Sequence, residues 1–216
     1  MTWLPFTAAL ALFFVLHTVP VRPAVKGRIV ARAGSRAFSL GYSALSLVTL
    51  TILIVAAGRA PYVELWPQAL WTRHTGLAVM AVAVAILALG IARPNPLSFG
   101  GARNDRFDPR HSGIVGWVRH PLLAAIGLWS LAHLIANGDL AHMILFGLFA
   151  AFSVLGMKLI DRRKRRELGA DWDRLTSTNR TISLTRNGFA RLTLAVALYG
   201  VLIVLHGPVI GAYPLG

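Results

Sequence analysis

Six apolar stretches set the limits on what this chain can fold into: Trp3–Val19, Phe38–Ala57, Thr75–Ala92, Pro121–Ala136, Leu140–Ile160 and Arg191–Leu205. A helix that crosses a bilayer needs ~20 mostly apolar residues, with a range of about 17–25. The stretches meet or approach that length, the fourth and sixth being short. None contains an acidic residue, and their only Lys or Arg, Lys158 and Arg191, sit at ends where a long side chain reaches the headgroups. The first stretch lacks a basic segment before it and is followed by Pro20-Val-Arg-Pro23 rather than a small-residue cleavage site, so it reads as a retained span and not a signal peptide. The expected fold is all-α, a polytopic membrane bundle of about six transmembrane helices in one domain over residues 1–216. Recurrent small residues, such as Ala81, Ala83, Ala85 and Ala88, or Gly147 and Ala151, suit close helix packing in lipid.

Charge supplies the orientation. The 216 residues include 22 Lys and Arg against 8 Asp and Glu, a net charge of +14. Such an excess fits either a nucleic-acid surface or the cytoplasmic edges of a membrane protein, and a hydrophobic content of 56% argues against the first. The bases gather in alternate connectors. Connector 20–37 carries Arg22, Lys26, Arg28, Arg32 and Arg36, and connector 93–120 carries Arg93, Arg103, Arg106, Arg110 and Arg119. Connector 161–190 carries the run Arg162 to Arg166 with Arg174, Arg180 and Arg186. The intervening turns are nearly bare, with Arg59 and Arg73 in one and none at Asn137-Gly138-Asp139. Basic connectors stay in the cytoplasm, so both termini are expected outside, and the same bases favour anionic headgroups.

With no cysteine, disulfides, thiolate ligands and thiol nucleophiles are excluded. Without acids in the spans, a carboxylate-lined ion pathway is disfavoured. Histidine is what remains: His17, His74, His120, His133, His142 and His206 in or near the spans, and His111 in a connector. Neutral imidazole is a usual axial ligand for haem iron. At ~1.5 Å per residue, His133 lies ~18 Å from the cytoplasmic end of its span and His17 only ~5 Å from the same side. Depth alone therefore pairs His17 better with His120. A histidine on a packed helix face is as often a hydrogen-bonded packing residue.

A second constellation is Arg119-His120-Pro121, with proline at a first helical position. On the same membrane face lies Asp161-Arg-Arg-Lys-Arg-Arg-Glu-Leu-Gly-Ala-Asp-Trp172, and the two segments together can enclose an anionic or nucleotide-like cofactor. The basic run is also explained as a patch facing lipid headgroups. Phe99-Gly100-Gly101 lacks the lysine and spacing of a phosphate-binding loop.

Several motifs carry a resemblance. Arg93-Pro-Asn-Pro-Leu-Ser-Phe-Gly-Gly101, Gly113-Ile114 with Arg119-His-Pro-Leu-Leu123, and Trp129-Ser-Leu-Ala-His133 through Asp139 resemble the NnrU family. The likeness continues through Gly156, Ile160-Asp-Arg-Arg-Lys-Arg165 and His206-Gly-Pro-Val-Ile-Gly211, and His17 with Pro20 and Arg22 fits the family's first helix. The resemblance implies a bacterial inner-membrane protein associated with denitrification, that is, with nitrite and nitric oxide reduction. NnrU is in turn similar to the plant zeta-carotene isomerase, a haem b enzyme. That similarity implies His17 and His133 as haem ligands and isomerase-like action on a lipid-soluble substrate. Ser130 stands where the isomerase has a cysteine, which removes any thiolate switch.

A weaker likeness runs to isoprenylcysteine carboxyl methyltransferases and membrane sterol reductases. It implies an S-adenosylmethionine-dependent methyltransferase whose cofactor is held by Arg119, His120 and Glu167, near Pro121 and Trp172. Leu122 replaces the usual tyrosine. A third reading is a non-enzymatic assembly factor for a respiratory complex. In each, the expected surroundings are membrane lipids and not nucleic acid.

Overall fold

The computed structural model describes residues 2–180 and 185–216, so residues 181–184 of the last basic connector lie outside the described residues. The chain is helical: α1 (Leu4–Thr18), α2 (Pro23–Gly58), α3 (Leu70–Gly90), α4 (Ile114–Trp117), α5 (Pro121–Asn137), α6 (Leu140–Leu168), α7 (Asp171–Thr176) and α8 (Arg186–Ile210). Among the described residues the only bridge of β type is isolated, between Glu64 and Asp139. Helices α2, α3, α6 and α8 are long and apolar enough to cross a membrane, whereas α1 and α5, with 15 and 17 residues, are shorter. Large apolar side chains stand exposed along these helices, Val196 at 73% and Val204 at 72% among them, as expected where lipid rather than water is the solvent.

The apolar stretches all become helices, but connector 20–37 does not form a loop. It continues as helix from Pro23, whose ring suits the first helical position, into the apolar stretch of α2. The break comes at Gly34, where φ is 83° and ψ 160°, a conformation that glycine adopts without steric cost. In connector 161–190 the helix of the preceding span runs on to Leu168, and Gly169 then turns the chain with φ 54°.

The chain divides into two compact units. The first comprises residues 1–66 and 139–145. In it α1 packs on α2, and the Tyr42 hydroxyl donates to the His17 carbonyl at 3.1 Å. Asp139 starts α6, accepting from the His142 amide at 3.1 Å and from the His142 ring Nδ1–H at 2.7 Å. That satisfies a helix-end donor and holds the imidazole.

The second unit comprises residues 67–138 and 146–216. Here α3 packs against α5 and α8. Small residues permit the approach: a methyl at Gly76 would meet the Ala132 carbonyl at 3.1 Å, and one at Gly90 would collide with the Pro121 ring. Arg191 of α8 donates to the Ala88 and Ile91 carbonyls, both at 2.8 Å, so a cation caps the open C-terminus of α3. The Tyr199 hydroxyl donates to Leu77 O at 2.7 Å, tying the same two helices further along. Connector 93–120 and residues 168–175 fold onto each other through a small apolar cluster of Leu97, Val115 and Leu175, flanked by Phe107, Ile114, Leu168 and Trp172.

Candidate functional site

Two sites emerge in the second unit, at opposite ends of α5. Near its C-terminus, α3, α5 and α8 enclose a cavity of ≈ 450 Å³. Leu77, Met80, Trp129, Leu202 and Ile203 give it apolar walls, and Arg73, His133, Asn137, His206 and Tyr213 give it polar points. That mixture, mostly apolar with a few directed polar groups, is the usual make-up of a small-molecule site.

Two imidazoles face the same space. The ring centroids of His133 and His206 are 6.1 Å apart. His133 Nδ1–H donates to Trp129 O, four residues back, at 2.8 Å, and His206 Nδ1–H donates to Ala212 O at 2.8 Å. A carbonyl only accepts, so each ring carries a proton on Nδ1. A backbone carbonyl that accepts from Nδ1–H also orients histidine ligands in metal sites. Trp129 and Phe146 flank the His133 ring at 5.1 and 4.9 Å between centroids. Ser130, fully buried one residue along, donates to Ile126 O at 2.8 Å and stays within its own helix.

His17 belongs to the first unit and repeats the device: its Nδ1–H donates to Phe13 O at 2.9 Å, and its ring stacks on Phe13 at 3.8 Å. His74 is exposed, and His142 is held by Asp139.

At the N-terminus of α5, Arg119 and His120 converge on one carboxylate, Asp161 of α6. Arg119 Nη1 donates to Asp161 Oδ2 at 2.9 Å, and His120 Nε2–H donates to Oδ1 at 3.1 Å. The other ring nitrogen, Nδ1, then accepts from the Ser98 hydroxyl at 2.9 Å. Both nitrogens of His120 are thus engaged, and the side chain is 5% exposed. Burial pushes the His120 pKa below the ordinary imidazole value, outweighing the upward pull of Asp161. Buried Asn95 extends the network by donating to the Arg119 carbonyl at 3.0 Å, and the Arg119 guanidinium lies over the Trp172 ring at 5.4 Å. Glu167 is elsewhere: it is exposed and pairs with Arg163 at 2.6 Å and Lys164 at 3.0 Å, which hold its carboxyl below the usual range.

The pairing of Arg119 and His120 with the segment 161–172 is therefore present, Trp172 included. Asp161, Ser98 and Asn95 carry no motif that marks them as partners of this pair, although Asp161 is the one acid opening a basic run. The approach of His206 to His133 depends on a contact between residues far apart in sequence.

Among the described residues no group of three or more His, Cys, Asp or Glu is arranged to hold a metal ion. Haem needs only one or two axial imidazoles, and His133 and His206 both line the same mostly apolar cavity. No curated protein and no solved structure matches the chain. A match to the family described as NnrU protein runs over residues 5–214, and the chain belongs to the NnrU family.

Proposed function

We propose that this chain is a haem b-binding membrane protein of the bacterial inner membrane that serves denitrification, with His133 as a haem ligand. One observation carries the reading: His133 is fixed by its Nδ1 bond to Trp129 O and lines an apolar cavity that a second imidazole also lines. His17, the other ligand implied by the family's relatives, is held through Nδ1 in the same way and stays a proposed ligand on that local ground. The cavity walls are mostly apolar, and Arg73 supplies a cation in the same lining for a carboxylate of the bound group. When bound, the group supplies one-electron chemistry or coordination of a lipid-soluble substrate.

The same proposal includes six spans with both termini outside. The charge alternation supports it, as does the packing of connectors 93–120 and 161–190 on each other. Helices α1 and α5 rise only ~22–26 Å at ~1.5 Å per residue, short of a ~30 Å core, so their flanking residues or local thinning complete the crossing. Reporters fused at the C-terminus are expected to report the outer side; cytoplasmic activity contradicts the orientation.

Purification with haem supplementation tests the cofactor. A Soret band with low-spin features is expected, lost in His133→Ala, and comparison of His17→Ala with His206→Ala identifies the second ligand. Haem-free protein that binds S-adenosylmethionine, with binding lost in Arg119→Ala, would support the methyltransferase reading instead.

A further inference from the structure

We infer that a second, polar cavity formed by connectors 93–120 and 161–190 binds a phosphate-type oxyanion. It is separate from the histidine cavity, measures ≈ 220 Å³, and its lining includes Gly116, Arg119, Thr176, Ser177, Thr178 and Arg180.

The geometry begins with how the walls are held. Asn179 N donates to Pro109 O at 3.0 Å, and the Ser112 hydroxyl donates to Asn179 O at 3.1 Å. Residues 176–180 are thereby laid across α4. The approach is close enough that a Cβ on Gly116 would stand 2.5 Å from the Asn179 carbonyl oxygen and 2.6 Å from Ser112 Oγ. The cavity is thus built by tertiary bonds between two segments that are 67 residues apart.

The chemistry of the lining selects the ligand. Two guanidinium groups, Arg119 and Arg180, face it with three hydroxyl residues, and no carboxylate is among the lining residues. Thr176 and Ser177 spend their hydroxyl protons on Trp172 O at 2.8 Å and Asp173 O at 2.7 Å, so the arginines are the principal donors. Arg119 is already oriented, by Asp161 along one edge and by Trp172 against its face. A guanidinium has five N–H donors in a fixed fork, and Asp161 accepts from Nη1. A pre-set arginine joined by a second, adjustable one is the pairing that planar or tetrahedral oxyanions recognise bidentately. The bases on α6 differ in kind: Arg162, Arg165 and Arg166 lie with Leu159 on an open, exposed surface. They suit diffuse attraction to anionic lipid rather than a defined site.

Two sources present this chemistry, free inorganic phosphate and a phospholipid headgroup, and one experiment separates them. The full chain in detergent is titrated with inorganic phosphate by calorimetry. In parallel, native mass spectrometry reads its retained lipids after release from bilayers of phosphatidylglycerol and phosphatidylcholine. The variants are Arg180→Gln, which leaves the Asp161 network intact, and Arg162→Gln as a basic control outside the cavity. Phosphate binding weakened about tenfold in Arg180→Gln and unchanged in Arg162→Gln supports a free oxyanion. Retained phosphatidylglycerol, lost in Arg180→Gln but not in Arg162→Gln, supports the headgroup. No binding of either probe, or equal loss in both variants, overturns the site. Haem content does not enter these readouts, so the outcome is independent of the cofactor proposal.

Discussion

His120 and His133 stand at the start and within the last turns of the same helix, ~20 Å apart at ~1.5 Å per residue, and the chain uses them in opposite ways. At His120 both ring nitrogens are engaged by side chains, Ser98 and Asp161, in a network that joins α5, α6 and connector 93–120. At His133 one nitrogen is fixed by the carbonyl of its own helix, and the ring borders an apolar cavity. The difference lies in the neighbours: charged partners make His120 a fastener, and apolar walls with a backbone tether at Nδ1 suit His133 to the proposed role of ligand. Residue type alone does not separate these roles.

Substitutions sharpen the contrast. The largest effect is expected at the proposed ligand: His133→Ala should abolish the low-spin haem spectrum, while His120→Ala should keep it and lower the unfolding temperature. Next comes the carboxylate that serves two partners. Asp161→Ala leaves the Arg119 guanidinium and the buried His120 ring without their shared acceptor, and hydrogen bonds to charged groups contribute about 1.5–3 kcal/mol each. Thermal unfolding in detergent should show a loss within that range at least, with haem binding retained.

Close packing under the same end of α5 comes third. Gly90→Ala forces a methyl into the Pro121 ring, and overpacking of this kind costs about 1–3 kcal/mol. A wild-type unfolding temperature would show that the α3–α5 contact yields. Smaller still is Tyr199→Phe, which removes the bond to the Leu77 carbonyl and should cost about 0.5–1.5 kcal/mol.

The least effect comes from proton linkage at His120. Its folded pKa lies below the ordinary 6.5, so between those two values the unfolded chain binds more protons than the folded one. This contribution to stability is full above 6.5 and declines as the pH falls towards the folded pKa. The unfolding temperature should therefore drop more from pH 7.5 to 5.5 in the wild type than in His120→Gln. Equal drops would place the acid sensitivity elsewhere.

How much of this was readable from sequence follows physical range. Helix positions were, because apolar runs that must satisfy their own backbone in lipid have few alternatives to helix. Trp3–Val19 becomes Leu4–Thr18, and Pro121–Ala136 becomes Pro121–Asn137. The helical start of α2 was hidden because Arg28, Arg32 and Arg36 read as a connector, whereas polar residues are compatible with a helix that leaves the membrane. Arg119 and His120 drew notice through their motif. Their acceptor Asp161 sits about forty residues away and was masked by five consecutive bases. The nearness of His206 to His133 has no local signature, since it depends on how α8 packs beside α3 and α5.

The two ends of α5 are proposed to hold a haem ligand, His133, and a fastener, His120. The absorption spectrum of purified, haem-supplemented protein tests this most directly, with His133→Ala and His120→Ala measured side by side. The account predicts a low-spin spectrum in the wild type and in His120→Ala, and its loss in His133→Ala. No Soret band in the wild type, or a spectrum unchanged in His133→Ala, would contradict it.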